Sequence, residues 1–210
     1  MALINLKSKE IYCKIVYYGP GRSGKTSNLI YIYNCLPEHL RSNMVKINTR
    51  GDRTLYFDFL PLQLGTFQGL AIKIQLYTVP GQVRYNASRK LVLQGVDGVV
   101  FVADSLKVRR GHNVESLKNL RENLWEKQIE LAQIPLVMQY NKRDLEEDDV
   151  PLLPIQVMDV DLNADLKSPA FECSALNGNG VFETLRQICK MTVKDVSLKL
   201  MKKMQKTLDT

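Results

Sequence analysis

Two short stretches of this 210-residue chain carry residues whose types and spacing fit phosphate and purine chemistry. In Gly19-Pro20-Gly21-Arg22-Ser23-Gly24-Lys25-Thr26, every fixed position of the phosphate-loop pattern G-x-x-x-x-G-K-[ST] is filled. Glycines let such a loop wrap closely around a polyphosphate, its amide N–H groups point inward, and the helix that follows turns its positive end to the anion. The pattern predicts Gly19, Gly21, Arg22, Ser23, Gly24, Lys25, Thr26 and Ser27 around the phosphates. Lys25 then sits on the β- and γ-phosphates and the Thr26 hydroxyl on a magnesium ion. The second stretch is Asn141-Lys142-Arg143-Asp144. A carboxylate at Asp144 can accept hydrogen bonds from the ring N–H and the exocyclic amine of guanine; adenine offers neither donor there. A polar site built for a donor rejects a ligand lacking it by roughly 10⁴–10⁵. Lys142 is expected along the purine plane and Asn141 as a brace between loops. Further on, Ser174-Ala175-Leu176 brings the Ala175 N–H within reach of the guanine carbonyl oxygen.

Each motif needs a strand that ends at it. Residues 10–18 read as a buried strand before the phosphate loop, and residues 27–35 as the helix after it. Residues 36–52 are polar, are broken by Pro37 and Gly51, and read as a mobile loop. Residues 55–64 and 71–79 alternate in character across a short 65–69 connection, which predicts a hairpin. Pro61 places the first of these strands at an edge or bends it. A basic helix is expected at 85–94, a buried strand at 98–104, and a helix at 113–131 with Val114, Leu117, Leu120, Leu124 and Leu131 on one stripe. A buried strand at 135–140, a short helix within 151–166 and a short strand at 171–173 follow. The last helix starts at Val181, with Leu185, Ile188, Thr192 and Val196 at helical spacing. Strands alternating with helices predict an α/β fold, a doubly wound and mostly parallel six-stranded sheet with one antiparallel edge strand. Ligands of such folds bind at the carboxyl ends of the strands, and the motifs fall there.

The length and a 45% hydrophobic content suit one well-buried core, expected over residues 1–190, with residues 191–210 as a basic extension of the last helix. No run approaches the roughly 18 apolar residues of a membrane span, so a cytoplasmic protein is expected. Cys13, Cys35, Cys173 and Cys189 lie far apart, and His39 and His112 form no cluster with them, which favours reduced thiols over disulfides or a zinc site. The net charge of +7 is uneven: residues 190–210 hold six lysines against Asp195 and Asp209, a balance of +4. The remaining excess is small enough for a bound nucleotide to offset, and no nucleic-acid partner is expected. Met191, Val193, Val196, Leu198, Leu200, Met201 and Met204 lie among Lys190, Lys194, Lys199, Lys202, Lys203 and Lys206. This partly amphipathic helix supports at most weak, reversible contact with an anionic membrane.

With these motifs in hand, the chain resembles Ras-like small GTPases over nearly its full length. The runs KIVYYGPG, DRTLYFDFLPL, YTVPGQ, ASRKL, GVDGVVFVADS and QYNKRDL are similar to the MglA-type GTPases of bacteria, which control cell polarity and motility. The resemblance implies a GTP/GDP switch with Mg²⁺, slow intrinsic hydrolysis, a dimeric Roadblock-fold regulator of the MglB kind that stimulates it, downstream polarity or motility effectors, and placement at cell poles through partners. The alternative is a nucleotide-bound scaffold that hardly turns over. The resemblance also implies that Gln82, after Gly81, orients the attacking water, that Thr54 holds magnesium and senses the γ-phosphate, and that Arg53 is an arginine finger in cis. One position departs from the wider pattern. Most Ras-like proteins end this strand with an aspartate that holds a magnesium-bound water; here the run is Thr78-Val79-Pro80-Gly81, which takes one negative charge from the metal's surroundings. Asp52 and Asp58 are the candidates to replace it. MglA-type proteins share the threonine.

Overall fold

The strand Gly98–Asp104 (β6) is buried along its whole length, as an apolar run covered on both faces of a parallel sheet must be. In the computed structural model, which describes residues 3–5, 8–48, 56–67, 69–82, 85–146 and 150–208, β6 pairs in parallel with Glu10–Tyr18 (β2) on one side and Leu136–Asn141 (β7) on the other. Beyond β7 lies the short Ala170–Glu172 (β8). On its other side β2 pairs in parallel with Leu70–Thr78 (β5), which pairs antiparallel with Tyr56–Phe67 (β4). These six strands are the mostly parallel sheet that the alternating pattern predicts. Two more join it: Leu3–Asn5 (β1), antiparallel to the start of β2, and Val45–Asn48 (β3), antiparallel to β4.

Helices cover both faces. Even-numbered β2 residues Val16 and Tyr18 pack with Leu117, Leu120 and Leu124 of Arg110–Trp125 (α3), alongside Asn86–Val92 (α2) and Ile155–Leu162 (α4). Odd-numbered Ile11, Cys13, Ile15 and Tyr17 pack with Leu29 and Ile32 of Lys25–Cys35 (α1) and with Val181, Leu185 and Ile188 of Val181–Leu208 (α5). The period-2 strand therefore serves two cores at once. Full burial of each such aliphatic side chain contributes about 1.5–3 kcal/mol.

Several expectations are corrected. The loop expected at 36–52 contains a 3₁₀ turn at Glu38–Leu40 and strand β3; residues 49–52 lie outside the described residues. The hairpin strands run to Phe67 and restart at Leu70, so the connection is shorter than 65–69. β4 is internal, since β3 covers its outer side from Tyr56 to Phe59. Pro61 sits just past that pairing, and Ser42 N–H donates to its carbonyl; its imide nitrogen shares that outer side, where no ladder bond is lost. The helix expected at 113–131 spans Arg110–Trp125, and Leu131 belongs to a separate 3₁₀ turn. Val114 is 43% exposed, outside the buried stripe. Three cysteines are buried and free as expected, but Cys35 is exposed. Among the described residues no helix is long and apolar enough to cross a membrane.

Candidate functional site

A cleft of about 1110 Å³ opens at the carboxyl ends of the parallel strands. Gly21, Arg22, Gly24, Lys25, Thr26 and Ser27 line one end, Gly81 and Gln82 one wall, and Asn141, Lys142, Asp144, Ala175 and Leu176 the other end. Gly19, Ser23 and Ser174 lie behind this lining, with Ser23 and Ser174 buried. Arg53 and Thr54 lie outside the described residues.

The loop between β2 and α1 breaks several local rules. Helix α1 begins after Gly24, whose φ of 97° suits glycine, with no side-chain cap and no acidic residue in its first turn. Its leading N–H groups are left without helical partners, and the positive end of the helix faces the cleft uncompensated. Lys25 adds a cation there and is only 6% exposed. Its Nζ donates to the carbonyls of Gly19 at 3.1 Å and Pro20 at 2.6 Å. Burial, reinforced by the nearby Arg89 charge, pushes its ammonium down to about 7. A polyphosphate arriving there restores the charged form, because an adjacent anion favours it. Such local conflicts mark functional sites more than stable folds.

The Thr78 departure has a geometric answer. Asp58 on β4 lies beside Thr78 on β5: the Asp58 N–H donates to Thr78 Oγ1 at 2.9 Å, and that hydroxyl donates to Asp58 Oδ2 at 2.9 Å. Thr26 Oγ1 donates to the same Oδ2 at 2.5 Å. Asp58 is 8% exposed and has no ion-pair partner among the described residues. Lys25 feels its charge through space, but among the described residues no cation pairs with it directly. No group of three or more His, Cys, Asp or Glu assembles among the described residues, but magnesium needs only one or two protein oxygens beside substrate phosphates and water. The donor set fits that ion.

The wall opposite is held by Arg89 of α2, which is fully buried. Its Nε donates to Pro80 O at 2.9 Å and its Nη2 to Gly81 O at 2.7 Å and Gly19 O at 3.4 Å. Its Nη1 reaches Asn119 Oδ1 at 2.7 Å and the Tyr18 hydroxyl at 3.4 Å. All five guanidinium donors are engaged, which offsets burying the charge without a carboxylate. The guanidinium also lies over the Tyr18 ring. Arg89 thus fixes the Pro80-Gly81 turn that precedes the exposed Gln82. Gly81 packs so closely on Gly21 that a side chain would overlap the Gly21 backbone.

At the far end Asn141 closes the loops as expected. Its Nδ2 donates to Ser23 O and its Oδ1 accepts from Ala175 N–H, both at 2.8 Å. The Ala175 N–H thus has Asn141 as its partner within the chain. Ser174 Oγ accepts from the N–H groups of Leu176 and Asn177, shaping the turn that leaves Leu176 81% exposed. Lys142 Nζ lies 2.8 Å from Asp104 Oδ2. Sequence reasoning missed Arg89, Asp104 and Arg109. Asp104 had a signal, as the last residue of a buried strand at the sheet's binding edge; Arg89 and Arg109 sit among other basic residues with none.

The model of the ADP-ribosylation factor family matches residues 2–192. The mutual gliding-motility protein MglA of Myxococcus xanthus is 50% identical over 196 residues, 93% of this chain and 98% of that protein.

Proposed function

The chain belongs to the ADP-ribosylation factor family and is a GTP-binding, GTP-hydrolysing switch, and we propose that the cleft at the sheet's carboxyl edge takes the guanine nucleotide. The phosphates lie on residues Gly19, Gly21, Arg22, Ser23, Gly24, Lys25, Thr26 and Ser27, with Lys25 on the β- and γ-phosphates. The base lies between Lys142 and Leu176, and Asp144 accepts from its ring N–H and exocyclic amine. Asn141, Ser174 and Ala175 hold the loops around it. One contact supports this reading most: Asn141 Nδ2 on Ser23 O clasps two motifs 118 residues apart, so that both line one cleft. Guanine nucleotide should be recovered when the native protein is denatured and its bound nucleotide separated by chromatography; adenine nucleotide would overturn the reading.

Thr26 and Thr54 would hold magnesium, which would supply positive charge against the phosphates. Asp58 supplies the carboxylate that Thr78 lacks, through the Thr26 hydroxyl. Gln82 orients the attacking water, on a turn set by Arg89, and Arg53 brings positive charge to the γ-phosphate. Asp58→Ala should weaken magnesium about 10- to 100-fold, as loss of an outer-shell partner does. The measurement is GDP release across a magnesium titration: in the variant, the magnesium midpoint should lie about 10- to 100-fold above that of wild type. An unchanged magnesium midpoint would remove Asp58 from the metal's support.

The name of the relative at 50% identity supports a role in motility for this chain too, and the sequence resemblance to MglA-type GTPases adds cell polarity. A dimeric Roadblock-fold regulator of the MglB kind stimulates hydrolysis by ordering Arg53 and Gln82, and polarity or motility effectors read the GTP form. The protein works in the cytoplasm and reaches cell poles through these partners. Residues 1–190 are the GTPase unit and 191–210 a basic extension, whose lysines from Lys190 to Lys206 allow weak, reversible contact with anionic membrane.

A further inference from the structure

Asp104, at the carboxyl end of β6, is fully buried and its Oδ2 faces two cations. Lys142 Nζ lies at 2.8 Å and Arg109 Nε at 3.7 Å. Its Oδ1 accepts from the Leu106 N–H at 3.1 Å, which holds the start of the β6–α3 connection against it. Arg109, on that connection, also reaches the phosphate loop: its Nη2 donates to Gly21 O at 2.7 Å. Its Nε is buried and makes no hydrogen bond, so that edge of the guanidinium faces the carboxylate while Nη2 holds the loop. The contact fixes a peptide plane. In a trans peptide the carbonyl of Gly21 and the N–H of Arg22 point opposite ways, so tying the carbonyl to Arg109 turns the Arg22 N–H away from Arg109, and Arg22 lines the cleft. Arg22 has a φ of 65°, a conformation a non-glycine residue keeps only when its surroundings impose it.

Resting on the nucleotide site proposed above, we propose that Arg109 is a positioning residue that sets the phosphate loop and, through the carboxylate of Asp104 shared with Lys142, couples phosphate recognition to base recognition. Arg109 and Lys142 each help hold the same buried charge. Removing one draws the other toward Asp104 and away from its own contact with the nucleotide site, so the second loss costs less in release rate than it does in the intact protein. Lysine cannot replace this arginine, because a single ammonium cannot face Asp104 and reach Gly21 with a planar fork.

The test is release of a fluorescent GDP analogue from the full chain, by stopped flow, in Arg109→Ala, Arg109→Lys, Lys142→Ala and the Arg109→Ala/Lys142→Ala double variant. Arg109→Ala should speed release about 10- to 100-fold, the range for a hydrogen bond to a charged group. Arg109→Lys should recover little of this. The double variant should release several-fold more slowly than the product of the single effects, since groups sharing one network do not act additively. Wild-type release from Arg109→Ala would overturn the positioning role, and multiplying effects would overturn the coupling. If Lys142→Ala also releases like wild type, the base site itself is at fault; a sensitive Lys142→Ala beside an insensitive Arg109→Ala sinks this inference alone.

Discussion

Asp144→Asn is expected to lose guanine nucleotide affinity by about 10⁴-fold and to gain xanthine nucleotide. The carboxylate is suited to two donors, the ring N–H and the exocyclic amine of guanine. An asparagine presents one acceptor and one donor, so its amide N–H₂ opposes the guanine amine but matches the carbonyl that xanthine carries at that position. The backbone that carries residue 144 should not move. Its 3₁₀ turn, Arg143–Glu146, is anchored by the neighbouring residue: the Arg143 N–H donates to Cys173 O and its Nη1 to Leu153 O, each at 3.0 Å. Competition of GDP and XDP for the variant reads the result. Retained preference for GDP would remove Asp144 from base recognition.

The second large effect is on the chemical step. Gln82→Ala and Arg53→Ala should each keep nucleotide and each lose regulator-stimulated hydrolysis, for the arginine by about 10³–10⁵, the worth of an arginine finger. Gln82 lies exposed at the cleft wall, directly after a turn that Arg89 pins at Pro80 O and Gly81 O. The turn is thus preset while the side chain still has to be ordered, which is work for a partner. A cleavage assay at saturating regulator decides the source of the charge: wild-type stimulation in Arg53→Ala would mean that the finger comes from the partner.

Much of this was legible in the chain because it is carried by backbone chemistry or long apolar runs. The Gly19–Thr26 pattern, the buried runs of β6 and β7, and the spacing of Val181, Leu185, Ile188, Thr192 and Val196 on α5 each have one good structural solution. What was not legible depends on contacts between distant segments. Strand β3 is a four-residue alternating run, VKIN, too short to stand out within a polar stretch, and it forms where β4 offers it an edge. Asp58 and Asp52 look alike in sequence; the register that sets β4 beside β5 puts Asp58 against Thr78 and Thr26. Arg89 reads as one of several basic residues on a short helix, and only the closeness of Gly19, Pro80 and Gly81 makes it a pin. The motif puts the Ala175 N–H within reach of the base but does not show its partner within the chain, Asn141 Oδ1 at 2.8 Å.

Single-turnover GTP cleavage by the full chain, with and without a dimeric Roadblock-fold regulator, tests the hydrolysing switch most directly. The account predicts slow cleavage alone and marked acceleration with the regulator, abolished in Gln82→Ala while nucleotide stays bound. Wild-type protein that holds GTP yet cleaves none above background in either condition would contradict it.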